Sequence, residues 1–248
     1  MEKQKKTIFH IDVNSAFLSW EAVYRIYHLG GKEDLREQIS AVGGDIALRH
    51  GIILAKSVPA KKYGIKTGET ILEAQRKYPN LILVPPNYSL YERCSQAFMD
   101  ILKEYSPAVE PYSIDEAFVD MTETRKLWGE PREAAQKMRE QIHRKLGFTV
   151  NIGISENKLL AKMASDFKKP NQVHTLWKKE IPSKMWPLPV RDLFFVGRAT
   201  ERKLRALGIY TIGELARTDP GLLKSHLKKA RRSHMGLCKR EGCLSCAA

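Results

Sequence analysis

The chain has 248 residues and a formal net charge of +14, and residues 177–248 alone contribute +10 through 16 basic and 6 acidic side chains. This balance excludes an acidic disordered chain and favours a polyanionic partner such as nucleic acid, with a solvated basic surface as the alternative. Without an 18-residue apolar run or an apolar leader, and with only four cysteines, we expect no membrane span, no secretory signal, no disulfide framework and a cytoplasmic location.

The apolar pattern predicts strands and helices in a mixed order. The predicted strands are residues 7–13, 51–54, the segment before Pro59, two short strands within 107–121 that flank a bend at 113–116, and 148–154. The predicted helices are residues 15–28, 88–105, one from Pro131 to the stop at Gly147, and one capped by Ser155. This β-α-β-β-α-β order predicts an α+β fold with a ferredoxin-like unit, in which residues 18–86 are inserted after the first strand. Short helices alternate with glycines from residue 186.

Three carboxylates are expected to meet at one edge of this sheet. Asp12 closes the first strand, and Asp115 and Glu116 lie at the bend of the second pair, which lies beside the first strand in this fold. Carboxylates in one place repel and take up protons unless a cation neutralises them. Hard oxygen ligands suit Mg²⁺, and two such ions can hold an attacking and a leaving oxygen in line. On spacing alone, three unrelated acids at strand ends remain an alternative.

Four motifs resemble those of the Y-family translesion DNA polymerases. Residues 112–120, YSIDEAFVD, resemble the family's S-I-D-E-A core, and residues 8–17, IFHIDVNSAF, resemble its first-strand motif. Residues 151–165 resemble the G-I-S-x-N-K-x-x-A-K-x-A-S segment, and residues 168–171 resemble the K-P-N that follows it. The matches occur in the family's order, from about residue 6 to residue 229, which makes them a specific signal.

The resemblance implies a low-fidelity polymerase that transfers a nucleotide from a dNTP to a primer 3′-OH with two Mg²⁺ ions. Asp12 and Asp115 match the metal-ligand aspartates, and Glu116 matches the catalytic glutamate, which is also expected to bind metal. The carbonyl of Val13 would complete a metal shell. Phe17 matches the aromatic gate that excludes a ribose 2′-OH, with an ordinary core aromatic as the alternative.

Two lysines match nucleotide-binding positions of the family. Lys169 matches the palm lysine that contacts the incoming triphosphate, and Lys61 matches a fingers position that is often arginine. A lysine neutralises a phosphate as a point charge rather than as a fork. Ala55 and Val58 depart from the Thr and Tyr of many members, so other groups hold the phosphates or nucleotide binding is looser.

The resemblance also implies the domain organisation. The palm would comprise residues 1–17 and 87–176, the fingers 18–86, and the thumb 177–229. Within the thumb, residues 193–200 resemble a helix-hairpin-helix, whose backbone N–H groups face a DNA phosphate. Gly197, Arg198 and Lys203 are the expected DNA contacts, and Phe195 stands where a first glycine is usual. Two packed helices without a ligand are the alternative.

Residues 230–248 fit no segment of the family. We expect an aberrant, disordered tail, with the little-finger domain absent. In one possible coding of residues 229–239, deletion of a single base restores a thumb-like sequence, which favours a frameshifted or truncated product. A zinc site is the alternative. It is the weaker reading, because its four residues contain only one C-x₂-C pair and no second pair at zinc-finger spacing. The zinc candidates are His234, Cys238, Cys243 and Cys246.

The expected partners are primer–template DNA and dNTP, bound by a monomer without a membrane. No sliding-clamp contact is expected, because the C-terminal region would be missing. A catalytically weak, DNA-binding remnant is the first alternative function. A nucleotide cyclase is the second, because residues 43–45, GGD, match part of a cyclase signature that the following residues do not continue.

Overall fold

A computed structural model describes residues 6–44 and 51–227. Its strands are β1 (Ile8–Val13), β2 (Ser40–Gly43), β3 (Ile53–Lys56), β4 (Ile82–Val84), β5 (Val109–Pro111), β6 (Glu116–Asp120), β7 (Val150–Ser155) and β8 (Val173–Thr175). Its α-helices are α1 (Ala16–His28), α2 (Val58–Lys62), α3 (Ile71–Lys77), α4 (Tyr88–Tyr105), α5 (Arg125–Trp128), α6 (Pro131–Leu146), α7 (Lys158–Ser165), α8 (Arg198–Ala206), α9 (Ile212–Arg217) and α10 (Pro220–Leu227). Three short helical segments, Lys178–Glu180, Ile181–Met185 and Val190–Asp192, lie between β8 and α8.

The main sheet has five strands in the order β5-β6-β1-β7-β8. Strand β1 lies antiparallel to both β6 and β7, β5 lies antiparallel to β6, and β8 lies parallel to β7. Helices α4 and α6 pack with the apolar side of this sheet in one core. The elements β1, α4, β5, β6, α6 and β7 therefore form the predicted ferredoxin-like unit, which confirms the fold class. Strand β8, which the sequence analysis missed, extends the sheet at one edge.

The two faces of the main sheet carry different partners. Phe9 and its alternate neighbours on β1 join the core under α4 and α6. His10 and Asp12 point to the opposite face, which α7 covers. Helix α7 approaches closely because β7 has a glycine there: a Cβ on Gly153 would lie 1.9 Å from the carbonyl oxygen of Ala161. This close packing places the side chains of α7 against the polar edge of the sheet.

The chain segment between α1 and α4 forms a smaller sheet with the strand order β3-β2-β4. Strand β2 pairs antiparallel with β3 and parallel with β4, and α2 and α3 cover an apolar cluster beside them. The prediction of two separate β runs here is wrong, because a single strand, β3, overlaps both of them and α2 begins at Val58. Helix α1 belongs to the main core, where Trp20 and Ala22 are fully buried.

The helices after residue 177 share a second core with α7. Leu160 and Met163 of α7 pack with Leu193 and Leu204 in this cluster. An isolated bridge between Pro189 and Thr211 joins the start of this region to α9. The short helices predicted after residue 186 are therefore confirmed, and they dock onto the main domain through α7.

The helix predicted to be capped by Ser155 starts differently. Asn157 is the N-cap of α7, and its side chain accepts a hydrogen bond from the backbone N–H of Leu160. Ser155 is instead the last residue of β7, and its hydroxyl donates to the carbonyl of Leu176 over 2.6 Å. Asparagine caps as well as serine does, so local sequence did not separate the two positions.

No helix within residues 6–44 and 51–227 is long and apolar enough to cross a membrane. Residues 230–248, with the four zinc candidates, lie outside the described residues, as does Asp45 of the cyclase-like motif.

Candidate active site

The pairing of β1 with β6 brings four predicted site residues to one end of the sheet. Asp12 lies opposite Glu116 in the antiparallel register. The backbone N–H of Val13 donates to the carbonyl of Asp115 over 3.0 Å, which extends the pairing by one residue. Within the described residues, no three acidic, histidine or cysteine side chains converge closely enough to form a metal-binding group. The backbone therefore gathers these residues, while their carboxylates are held by other partners.

The first partner is Lys169, which pairs with Asp12. Its Nζ lies 2.8 Å from Oδ2 of Asp12 and 2.9 Å from Oδ1 of Asp166. Burial raises the pKa of Asp12 to about 6, although Lys169 opposes this shift, and the nearby charge of Glu116 adds to it. Burial thus makes the charged form of Asp12 costly, and a cation nearby stabilises it.

Lys162 and His10 are the partners of Glu116. The Nζ of Lys162 lies 2.6 Å from Oε2 of Glu116, and Nε2 of His10 lies 3.5 Å from the same oxygen. Burial by itself raises the pKa of Glu116, but these two neighbours outweigh it and hold the value at about 2. Burial also lowers the pKa of His10. Glu116 is therefore the more strongly ionised of the paired carboxylates.

Asp115 is less buried than Asp12. It is half-buried immediately before β6, and its Oδ1 accepts a hydrogen bond from the hydroxyl of Ser113 over 2.8 Å. This short local contact orients the carboxylate without neutralising it.

Two buried polar side chains, Asn151 and Ser165, form hydrogen bonds with the segments that carry the site residues. Asn151 of β7 lies opposite Asp12, and its Nδ2 donates to the carbonyls of Ser165 and Lys168 over 3.0 and 2.9 Å. These bonds fix the segment that carries Lys169. The hydroxyl of Ser165 lies 2.8 Å both from Nδ1 of His10 and from the carbonyl of Lys162.

The roles of His10 and Lys162 were not predicted from the sequence. The alternation of β1 offers a signal for His10, because it lies two residues from Asp12 and therefore on the same face. A lysine between apolar neighbours in 159–163 offers a signal for Lys162.

Phe17 lies in the first turn of α1 and is half-buried. Its ring stacks on Tyr91, with centroids 4.6 Å apart and planes at 15°, and lies 5.8 Å from the ring of Trp20. The ring thus packs against the core and keeps part of its surface exposed. Its gating role remains a prediction.

Lys61 lies on α2, beside the smaller sheet, with an exposed side chain. The hydroxyl of Ser57 caps this helix by accepting from the N–H of Ala60. Burial, together with the charge of Lys61, lowers the pKa of Lys56. The two lysines therefore form a positive region on this sheet, and a role in nucleotide binding remains a prediction.

The predicted DNA contacts lie at the start of α8. Gly197 is its N-cap, Arg198 is its first residue, and Lys203 lies one turn later; all three are exposed. Phe195, where a glycine is usual, has a φ of 72°, in the left-handed region that favours glycine. The turn therefore keeps a glycine-like conformation with a phenylalanine in place.

The donor chemistry at this end of the sheet fits a hard divalent cation. The side chains of Asp12, Asp115 and Glu116 and the carbonyl of Val13 offer oxygen atoms only, which is the donor set that Mg²⁺ prefers. In this structure a lysine ammonium group lies beside each of two of these carboxylates, the buried Asp12 and the half-buried Glu116.

Comparison with known proteins decides the family. Residues 11–166 match the impB/mucB/samB family, and residues 178–209 match the HHH motif of the IMS family. The chain belongs to the impB/mucB/samB family, the Y-family of DNA polymerases. The family resemblance found in the sequence is therefore confirmed. Polymerases of this family generally depend on a divalent metal.

Curated relatives and solved structures agree with this assignment. DNA polymerase IV of Clostridium acetobutylicum is 52% identical over 223 residues, which is 90% of this chain and 56% of that protein. DNA polymerase IV 1 of Bacillus subtilis is 42% identical over 224 residues, which is 90% of this chain and 52% of that protein. The chain thus spans about half the length of these relatives.

The crystal structure of DinB from Sulfolobus solfataricus superposes with a TM-score of 0.82 at 25% identity, covering 94% of this chain and 66% of that one. An insertion ternary complex of Dbh DNA polymerase gives the same TM-score and identity, covering 94% of this chain and 67% of that one.

Proposed function

We propose that the chain catalyses template-directed DNA synthesis, transferring a nucleotide from a dNTP to a primer 3′-OH as a low-fidelity lesion-bypass polymerase. The observation that carries this proposal is the pairing of β1 with β6, which sets Asp12 opposite Glu116 and ties Val13 to Asp115. Residues that offer only oxygen donors, gathered by strand pairing at the end of a sheet, are suited to phosphoryl transfer assisted by cations. Its occurrence in a Y-family chain supports the same reaction.

The proposed cofactor is a pair of Mg²⁺ ions. The carboxylates of Asp12, Asp115 and Glu116 and the carbonyl of Val13 would hold them. When bound, such ions stabilise the attacking and leaving oxygens of an in-line displacement.

Two lysines are proposed to bind the incoming triphosphate. Lys169, with its ammonium already beside Asp12, would neutralise phosphates near that carboxylate. Exposed Lys61 would neutralise them from the side of the smaller sheet, which we assign to the fingers within residues 18–86. Phe17 would exclude the ribose 2′-OH by its bulk.

Gly197, Arg198 and Lys203 are proposed to contact the phosphates of primer–template DNA. Their exposure at the start of α8 leaves the backbone N–H groups and both charges open to a ligand. We propose that the chain acts as a monomer in the cytoplasm, where its DNA substrate would lie.

A DNA-binding remnant with weak catalysis is the second candidate. The lysine ion pairs on Asp12 and Glu116 favour it, because they occupy two of the carboxylates that a cation would need. This candidate predicts DNA binding without Mg²⁺-dependent extension by the wild-type chain.

Replacement of Asp115 tests the proposed reaction. Asp115→Asn removes one negative charge at the sheet edge and should lower Mg²⁺-dependent primer extension by about a hundredfold or more. DNA binding, measured by fluorescence anisotropy, should stay largely unchanged. Asp100→Asn, on the exposed side of α4, is the matched control and should extend primers normally. Undiminished extension by Asp115→Asn would overturn the proposal.

A further inference from the structure

Lys162 of α7 has an almost fully enclosed side chain, 8% exposed. Its ammonium meets groups from three segments of the chain. Nζ lies 2.6 Å from Oε2 of Glu116, 4.9 Å from the ring centroid of Tyr112, and 5.1 Å from the ring centroid of Phe194. The carboxylate belongs to β6, Tyr112 precedes it at the bend, and Phe194 belongs to the helical region after residue 177.

The loss of hydration of an enclosed ammonium group has to be compensated by other contacts. Moving an ion out of water costs several kcal/mol unless a counter-charge and further polar contacts replace its hydration. Here a carboxylate supplies the counter-charge, and two aromatic rings add cation–π attraction, which strengthens when water is excluded. Lys158, one turn earlier on α7, is instead 46% exposed and pairs with Glu110 at the surface. Position 162 is thus a specific internal site for a cationic side chain.

The ion pair involves one oxygen of the Glu116 carboxylate. Lys162 and His10 both approach the same carboxylate oxygen, Oε2, at 2.6 and 3.5 Å. Because Gly153 lets α7 lie close to the sheet, Lys162 reaches this oxygen from a helix backbone rather than from a loop.

Phe194 connects this arrangement to the predicted DNA-binding turn. Its backbone N–H lies 3.3 Å from the sulfur of Met163 on α7, and its ring lies 4.0 Å from the ring of Phe195. Gly197 follows three residues after Phe194. The ring over Lys162 is therefore held by the same short segment that carries the start of α8.

We propose that Lys162 is a positioning residue for the carboxylate of Glu116, and that the ring of Phe194 holds the Lys162 ammonium in place. This inference rests on the proposed function, in which Glu116 binds a divalent cation. The ammonium does two opposing things: it orients the carboxylate, and its positive charge competes with the cation. Removing it should therefore tighten cation binding while slowing the reaction, a combination that simple loss of packing does not produce.

The test replaces Lys162 with methionine, which is of similar length and uncharged. Mn²⁺ binding to the whole chain, followed by electron paramagnetic resonance, should become about fivefold tighter, because a positive charge next to the site is removed. At saturating metal, kcat for primer extension should fall about tenfold or more through loss of orientation, with little change in KM for dNTP. Lys158→Met removes the same charge from the exposed side of α7 and should alter neither value.

A second variant keeps the test usable if Lys162→Met fails to fold. Phe194→Leu retains the ammonium and most of the apolar packing, and it should lower kcat severalfold without tightening Mn²⁺ binding. Thermal unfolding reports whether each variant is folded. Unchanged kcat for folded Phe194→Leu would overturn its part in the inference.

The outcomes separate this inference from the proposed function. A wild-type chain that neither binds Mn²⁺ nor extends primers would overturn the proposed function. A wild-type chain that does both, with Lys162→Met matching it in affinity and kcat, would overturn only the positioning role.

Discussion

Phe17 stacks one side of its ring on Tyr91, and the residue is only partly buried. If the exposed part limits the space for the sugar, Phe17→Ala should lower the preference for dNTP over rNTP by about tenfold or more. Phe17→Leu keeps apolar bulk and should retain most of the preference. Single-nucleotide incorporation measures both ratios. An unchanged ratio for Phe17→Ala would leave Phe17 with a packing role only.

Tyr91 itself stabilises a buried charge. Its hydroxyl donates to Oε1 of Glu21 over 3.0 Å, and both side chains are buried. Burial raises the pKa of Glu21, and the hydrogen bond opposes this rise. Because the pKa is raised in the folded state, ionisation of Glu21 reduces stability as the pH rises above its ordinary value, 4.5.

Tyr91→Phe should raise the pKa of Glu21 further and so cost more stability at high pH than at low pH. We expect a loss of about 1.5–3 kcal/mol at about pH 7 and a smaller loss at about pH 4, where the carboxyl takes up a proton. Urea unfolding at both pH values measures this difference. Tyr88→Phe, at an exposed tyrosine nearby, is the control. Equal losses at the two pH values would contradict the assignment.

Some contacts of the candidate site could be predicted from the sequence, and others could not. The neighbourhood of Asp12, Asp115 and Glu116 was predictable, because strand pairing fixes which backbone positions lie opposite each other. The ion pairs of Lys162 and Lys169 with two of these acids were not. They depend on how closely α7 approaches the sheet and on the path of the following loop, both of which are tertiary features.

Among the elements, length and periodicity decided which ones could be predicted. Strands β1 and β7 and helices α4 and α6 are long enough to show a clear apolar pattern, and their positions were close to the prediction. Strands β2, β4 and β8 have three or four residues and pair with distant segments, so their sequences carry little signal. Short edge and insert strands are specified mainly by the partners that they find on folding.

The turn before α8 contains a phenylalanine in a backbone conformation that favours glycine. Phe195 has a φ of 72° and an exposed ring, so its backbone adopts a conformation that any side chain with a Cβ makes costly. Phe195→Gly and Phe195→Ala both lose the ring, but only glycine relieves this cost. We therefore expect the glycine variant to be more stable than the alanine variant by about 1 kcal/mol, measured by urea unfolding. Equal stabilities would show that the turn does not require positive φ in solution.

Across the whole molecule, the predicted acidic site residues and most of the net positive charge belong to different parts of the chain. Asp12, Asp115 and Glu116 lie at one end of the main sheet, while residues 177–248 contribute a net charge of +10. Helix α7 contacts both parts of the described chain, since it packs closely on the sheet at Gly153 of β7 and joins the second core through Met163. A polyanion bound at the exposed start of α8 would thus bind a part of the chain that shares a core with α7.

Salt dependence tests whether this basic region binds DNA through its phosphates. Each neutralised phosphate should add about 0.9 to the slope of log affinity against log salt, so binding should weaken steeply as salt is added. Arg198→Ala should reduce that slope by about 1 and weaken binding equally on unrelated DNA sequences, because the expected contact is to phosphate. Lys137→Ala, at an exposed position of α6, removes the same charge away from α8 and should leave the slope unchanged. Fluorescence anisotropy across a salt series measures both. If the two variants reduce the slope equally, the binding follows net charge alone, and the turn at Gly197 and Arg198 is not the DNA contact.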